Sequence, residues 1–279
     1  MSLLDAIIIG IVQGLSEFIP ISSTAHMTLV GSMLGTISKD NPEVWTAIQG
    51  VFQLGTLVAV FIYFSSDLRL ILSDFFNQNY SNRVPIKKQS TNSLLGWYIG
   101  VGTIPILTIG YALKKQLSGS FTKDPIVIAT SLISLAIVLL VAELISKRNR
   151  TLESITLKDS IIVGFSQCLA LIPGSSRSGT TITAGLFLGM TRETAARFSF
   201  LLGIPAILLS GLASMYDIFK TKEIFIGLDI FPIIVGTIVS GIVGYLSIAF
   251  LLKYLSKHST MLFIVYRIVL GLVILYLSF

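Results

Sequence analysis

GIVQGLSEFIPISST (Gly10–Thr24) and GFSQCLALIPGSSR (Gly164–Arg177) are two versions of one segment within a single 279-residue chain. Each starts apolar, meets a proline (Pro20 or Pro173) and then opens into small hydroxyl residues. Proline removes a backbone donor and turns the residue before it away from helix. Each segment therefore reads as helix, polar loop, helix. Its halves, about 12 to 18 residues long, fall short of the roughly 20 residues needed to cross a bilayer.

Outward from these segments the chain is hydrocarbon. Charged residues make up 12%, about half the soluble norm. Six apolar runs of spanning length lie near 44–64, 93–113, 125–145, 198–219, 230–252 and 261–279. The fold class expected is an all-α polytopic membrane protein in a lipid bilayer, with six full spans and two broken segments. The net charge of +6 does not point to nucleic acid, because most Lys and Arg lie in short connections between spans. Cys168, the single cysteine, excludes an intramolecular disulfide and a zinc-type cluster. Asp5 and Glu17 interrupt the first apolar run, so it reads as mature protein and not as a cleaved signal.

The repetition continues in order. FQLGTLVAV (Phe52–Val60) resembles FLLGIPAIL (Phe200–Leu208), and VGTIPILTIGY (Val101–Tyr111) aligns without gaps to VGTIVSGIVGY (Val235–Tyr245). The chain thus divides into repeats over 1–145 and 155–279, forming one membrane domain. Three full spans per repeat is an odd number, so the second repeat is expected to be inverted. Two broken segments in corresponding halves point to re-entrant hairpins with a site near the membrane midplane. The loops 65–92, 146–159 and 253–259 put Arg69, Arg83, Lys87, Lys88, Lys147, Arg148, Arg150, Lys158, Lys253 and Lys257 on one side; Lys39, Lys114, Lys115, Lys123, Lys220 and Lys222 fall on the other. The excess assigns the first set to the cytoplasm and both termini to the outside.

Irregular backbone at membrane depth needs protein or water to satisfy it, so the two loops are expected to line a shared wet pocket. The second supplies Ser175, Ser176, Arg177, Ser178, Thr180 and Thr181, with Gly174 and Gly179 allowing close backbone approach. The helix that resumes after it offers free N–H groups and a positive dipole end. Together these suit phosphate; the Walker A spacing is absent. Small residues for tight helix packing are the structural alternative, which leaves the arginine unexplained. The first loop supplies Gln13, Glu17, Ser22, Ser23, Thr24 and His26. Gln13 and Glu17 share a helix face, a membrane carboxylate is a functional candidate by default, and His26 can exchange protons near neutral pH. Glu143 and Arg267 read as structural residues near one side, there to pair or to snorkel, and His258 lies in a loop.

Three functions fit an anion site with acid–base groups opened from a bilayer: an enzyme acting on a lipid phosphate, an inverted-repeat transporter or flippase of an anionic lipid, and a non-catalytic lipid-binding protein. The density of acid–base groups favours the enzyme.

QGLSEFIPISSTAH (Gln13–His26) and PGSSRSGTT (Pro173–Thr181) resemble, in order, the two motifs of the bacterial undecaprenyl-diphosphate phosphatases of the bacitracin-resistance type, and the likeness covers essentially the whole chain. The resemblance implies removal of the terminal phosphate from undecaprenyl diphosphate, which regenerates the carrier lipid for peptidoglycan synthesis. It also implies location in the bacterial plasma membrane, an outward-facing site and stimulation by Mg²⁺ or Ca²⁺; homo-oligomers are left open. Carried over residue by residue, Glu17, Ser23, His26 and Arg177 match the essential positions. Ser22, Thr24, Ser176, Ser178 and Thr181 match phosphate-contacting ones, and Gln13, Gly174 and Ser175 join them from the loop chemistry. Gln13 and Gln49 stand where relatives have Glu, which puts a two-carboxylate metal site in question. The nucleophile is left open between Ser23, His26 and a water held by Glu17.

Overall fold

The structure, a computed structural model, describes residues 1–37, 42–118, 120–220 and 229–278. The first half holds α1 (Leu3–Phe18), α2 (Ser23–Met33), α3 (Pro42–Tyr63), α4 (Ser65–Phe76), α5 (Thr91–Ala112), α6 (Lys114–Ser118) and α7 (Pro125–Ile145). The second holds α8 (Leu157–Gln167), α9 (Arg177–Phe187), α10 (Arg192–Lys220), α11 (Ile230–Leu255) and α12 (Met261–Ser278). Six of them, α3, α5, α7, α10, α11 and α12, are long and apolar enough to cross a membrane. They coincide with the six expected runs to within a few residues, except that α10 begins at Arg192. Of the basic residues used to assign sides, Lys39 and Lys222 lie outside the described residues.

Both proline-broken segments are interrupted as expected: α1 breaks to α2 across Ile19–Ser22, and α8 to α9 across a short 3-10 turn, Cys168–Leu171, and the loop after it. Their local chemistry matches in detail. Ser2 and Asp5 form a capping box at the start of α1, and Thr156 and Asp159 form one at the start of α8. Such a box satisfies two orphan N–H groups of a helix start. After each break a serine caps the new helix from the left-handed region: Ser22 at φ 78° and Ser176 at φ 68°. Ser22 Oγ accepts from Ala25 N–H at 3.3 Å, and Ser176 Oγ from Gly179 N–H at 3.1 Å. One step of 154 positions relates Ser2 to Thr156, Asp5 to Asp159, Gly10 to Gly164 and Ser22 to Ser176. The prolines are out of that step, since the second loop carries one more residue after its proline.

In lipid, helices gain little from hydrophobicity and associate through close packing of small residues. α1 lies on α11 and α8 on α5, and the contacts are reciprocal. A Cβ on Gly10 would fall 2.4 Å from the carbonyl oxygen of Gly236, and one on Gly164 would fall 2.2 Å from that of Gly102. Gly102 and Gly236 hold matching places in the two VGTI segments. α3 packs on α10 and α11, and α7 on α12. Phe18, Phe64 and Phe200 fill the space between these pairs, with Phe18 edge-on to Phe200 at 5.2 Å.

Two expectations change. The stretch 65–92 includes the amphipathic helix α4, which buries Ile71 and exposes Leu70, Leu72 and Phe76. At twelve residues it is too short to register as a span. Glu143 and Arg267 do not pair. Glu143, at the end of α7, is held by Arg192, by Arg148 at 3.0 Å and by the Thr260 hydroxyl at 2.8 Å. Arg267 points elsewhere, into the second loop.

Candidate active site

The two loops meet at Glu17. Its helix α1 ends one residue later because Pro20 follows, and this leaves the carboxylate at the mouth of the break, 5% exposed. Gln13, one turn back on the same face, donates its amide to Glu17 Oε2 at 2.9 Å. Ser23, the first residue of α2, donates its hydroxyl to the same oxygen at 2.9 Å. Arg177, the first residue of α9, donates Nη2 to Glu17 Oε1 at 3.2 Å. One carboxylate thus binds the leading residue of two helices. The positive dipole ends of α2 and α9 and three donors compensate a charge that a membrane interior would otherwise penalise.

Arg177 is fixed from behind by α10. Its Nη1 donates to the Ser199 carbonyl at 3.3 Å, and Gly203 leaves room for it: a Cβ there would lie 1.9 Å from Nη1. Ser178 reaches the first loop through the Ile19 carbonyl at 3.4 Å and meets Ser176 Oγ at 3.2 Å. Thr181 turns its hydroxyl to the Arg177 carbonyl at 2.7 Å and to Ser199 Oγ at 2.6 Å, bracing the first turn of α9 against α10. Helix geometry leaves the first N–H groups of α9, those of Arg177 and Ser178, to a ligand.

The remaining candidates lie further back. Gly174 adopts φ 88° against Ile128, where a Cβ would meet its carbonyl oxygen at 2.3 Å. Ser175 is fully buried and its carbonyl accepts Arg267 Nη2 at 3.0 Å. Gly179, read from the sequence as a place of close ligand approach, makes room for Arg267, whose Nη1 would lie 2.6 Å from a Cβ. Thr24 stands half-buried in the first turn of α2. His26 engages both ring nitrogens: Nδ1 with the Ser22 carbonyl and Nε2 with the Tyr266 hydroxyl, each at 2.7 Å. The sequence reading missed Ser199, Gly203 and Tyr266 and misassigned Arg267. A lone arginine within an apolar span was the one signal that called for attention.

A divalent cation does not fit these residues. Glu17 is the one carboxylate of the cluster, and both its oxygens already accept from Gln13, Ser23 and Arg177. Among the described residues no group of three or more His, Cys, Asp or Glu could hold a metal ion. Ca²⁺ takes about six to eight oxygen ligands, more than this cluster provides, and Mg²⁺, which needs at least one carboxylate, would have to displace the donors that hold Glu17. What it does offer is a hydroxyl hydrogen-bonded to a carboxylate, beside a guanidinium with bidentate reach. That is the equipment of an activated nucleophile next to an anion site.

A family profile described as "Bacitracin resistance protein BacA" matches residues 6–273. A protein of Syntrophobacter fumaroxidans named "Undecaprenyl-diphosphatase" is 49% identical over 280 residues, covering 100% of this chain and 98% of its own length. Another of the same name from Chloroherpeton thalassium is 47% identical, over 99% of this chain and 96% of its own. The match spans nearly the full length, and the chain belongs to the bacitracin resistance protein BacA family.

Proposed function

We propose that this protein is an integral-membrane phosphatase that hydrolyses undecaprenyl diphosphate to undecaprenyl phosphate and inorganic phosphate, returning the carrier lipid to cell-wall synthesis. The observation that carries this reading is the line Ser23–Glu17–Arg177, linked at 2.9 and 3.2 Å where two helix N-termini converge. Family membership and the names of the relatives supply the substrate. A transporter of an anionic lipid could share the six spans, but it has no need of a hydroxyl bonded to a carboxylate.

The terminal phosphate takes Arg177 over from Glu17, and the first N–H groups of α2 and α9 receive its other oxygens. Ser23 Oγ attacks phosphorus while Glu17 takes the hydroxyl proton. The bond from phosphorus to the bridging oxygen breaks, and its electron pair leaves with undecaprenyl phosphate. Glu17 releases its proton to solvent, then takes one from the water that attacks the phosphoserine; the bond from phosphorus to Ser23 Oγ breaks as phosphate forms, and Glu17 passes that proton to the departing serine oxygen, restoring both groups. Positioning and electrostatics carry most of the acceleration in such transfers. His26, with both nitrogens occupied, is assigned a structural place in this scheme. Stimulation by Mg²⁺ or Ca²⁺ is assigned to a cation carried by the diphosphate, and no step is routed through it.

The halves 1–145 and 155–279 are read as inverted repeats with re-entrant hairpins. The reciprocal packing of Gly10 on Gly236 and Gly164 on Gly102 supports that reading. The balance of Lys and Arg supports both termini facing outside, and the family resemblance supports a site opening to the same side.

The test is phosphate release by the purified protein in detergent, where flux is undefined, from a short-chain prenyl diphosphate. Ser23→Ala and Glu17→Gln should each lower turnover by at least about 10², with lipid binding retained through Arg177. No release by the wild type overturns the phosphatase. Full turnover in Ser23→Ala passes the nucleophile to a water on Glu17.

A further inference from the structure

α12 touches both loops with consecutive residues. Tyr266 meets His26, and Arg267 donates to the carbonyls of Gly174 and Ser175 at 3.5 and 3.0 Å. Neighbours on a helix point about 100° apart, so one turn of α12 reaches each loop separately. The chemistry of the first contact is constrained. A carbonyl oxygen can only accept, so His26 Nδ1 carries a hydrogen toward Ser22. A neutral ring then presents a lone pair at Nε2, and the Tyr266 hydroxyl donates to it. An imidazolium would donate to the same hydroxyl, so the contact persists through protonation. The Ser22 carbonyl held in this way belongs to a residue at φ 78°, a strained conformation that persists only where its surroundings impose it. Ser23 comes next in the chain and bonds Glu17.

We propose that Tyr266 is a positioning residue of this site: its hydroxyl anchors Nε2 of His26, and His26, whose Nδ1 hydrogen is directed by the Ser22 carbonyl, in turn holds the first loop so that Ser23 stays on Glu17. The role rests on the phosphatase reading. Tyr266 touches neither substrate nor the reacting atoms, and Arg267 is its counterpart on the second loop.

Tyr266→Phe removes the hydroxyl alone from a ring that is 42% exposed. Two readouts follow. The chain has 2 histidines, so ¹⁵N-histidine spectra on a His258→Asn background report His26 by itself. Wild type should show hydrogen on Nδ1, and Tyr266→Phe should move the Nε2 resonance, which loses its hydrogen-bond partner. In phosphate release from a short-chain prenyl diphosphate, Tyr266→Phe should lower kcat by about tenfold or more, as misplaced reacting groups do. KM should stay near wild type because the Arg177 loop is untouched. His26→Asn, whose amide can replace Nδ1 as donor to Ser22, should retain more turnover than His26→Ala.

Hydrogen on Nε2 in the wild type, wild-type kcat in Tyr266→Phe, or His26→Asn no better than His26→Ala each overturns the proposal. If the wild type releases no phosphate, the phosphatase reading and this role fall together, and the spectra still decide whether Tyr266 holds Nε2 of His26.

Discussion

Gly203→Ala separates the placement of Arg177 from its charge. The residue lies inside α10, where alanine is favoured over glycine by about 1 kcal/mol, so the helix itself gains. The new methyl would stand 1.9 Å from Arg177 Nη1 and 2.8 Å from Cζ. Ordinary contact begins near 3.4 Å, so the guanidinium must retreat by roughly 1.5 Å. Its Nη1 reaches the Ser199 carbonyl at 3.3 Å and its Nη2 reaches Glu17 at 3.2 Å, and a shift of that size cannot preserve both contacts. A displacement of this order at a reacting centre costs about 10² in rate. What moves is the far end of a flexible side chain, so the fold should absorb the change. The assay is kcat/KM for phosphate release, with monodisperse elution and the unfolding temperature as controls for folding. A folded Gly203→Ala protein with wild-type kcat/KM would refute the claim that α10 sets the position of Arg177.

Arg177→Lys should be nearly as damaging as Arg177→Ala, because one ammonium cannot replace a fork that serves Ser199 and Glu17 from two nitrogens; a lysine variant with most of the wild-type activity would exclude bidentate recognition. Gln13→Glu replaces the amide donor to Glu17 with a second carboxylate, so the enzyme should stay active yet depend more steeply on Mg²⁺ or Ca²⁺. Phosphate release titrated with cation against a chelator control checks this, and an unchanged titration would count against it. Ser2→Cys and Ser278→Cys on a Cys168→Ser background should both react with an impermeant thiol reagent in intact cells. Labelling of one terminus alone breaks the inverted-repeat reading, and labelling of neither reverses the orientation.

The spans were legible because hydropathy over about 20 residues is a strong signal, and the breaks were legible because proline acts locally. The meeting of Glu17, Ser23 and Arg177 was legible in outline from loop composition, although nothing in the sequence showed that Glu17 would bind both partners at once. The register of the repeat was harder to see. Matching the prolines pairs Ser22 with Ser175, whereas the structure pairs Ser22 with Ser176, because a left-handed helix cap, and not a proline, is what the two loops share. The caps Ser2/Asp5 and Thr156/Asp159 carried that register in plain view, outside the segments compared. Arg267 shows a different limit. Its charge inside an apolar span marks it as functional, but its partner depends on how α12 is rotated. One residue of rotation separates a contact with the loop from a contact with Tyr266's neighbours.

The geometry also shows why a carboxylate belongs in this place. Two helix N-termini and an arginine with no anion between them would repel one another at membrane depth, where charges are poorly screened. Glu17 neutralises them in the free protein, holding Arg177 and Ser23 in the positions a phosphate will need. On the proposed mechanism an arriving phosphate takes over the donors it can share, and the carboxylate retains the one contact it needs as a base, the Ser23 hydroxyl. Glu17→Gln therefore removes more than a proton acceptor: it leaves Arg177 facing α2 with a neutral amide. A double change, Glu17→Gln with Arg177→Met, separates these effects. If the pairing accounts for the stability of the loops, the double variant should unfold at a higher temperature than Glu17→Gln alone, since breaking one side of a buried pair costs about 3–5 kcal/mol while removing both sides costs far less. Equal unfolding temperatures would leave Glu17 with proton transfer as its whole contribution.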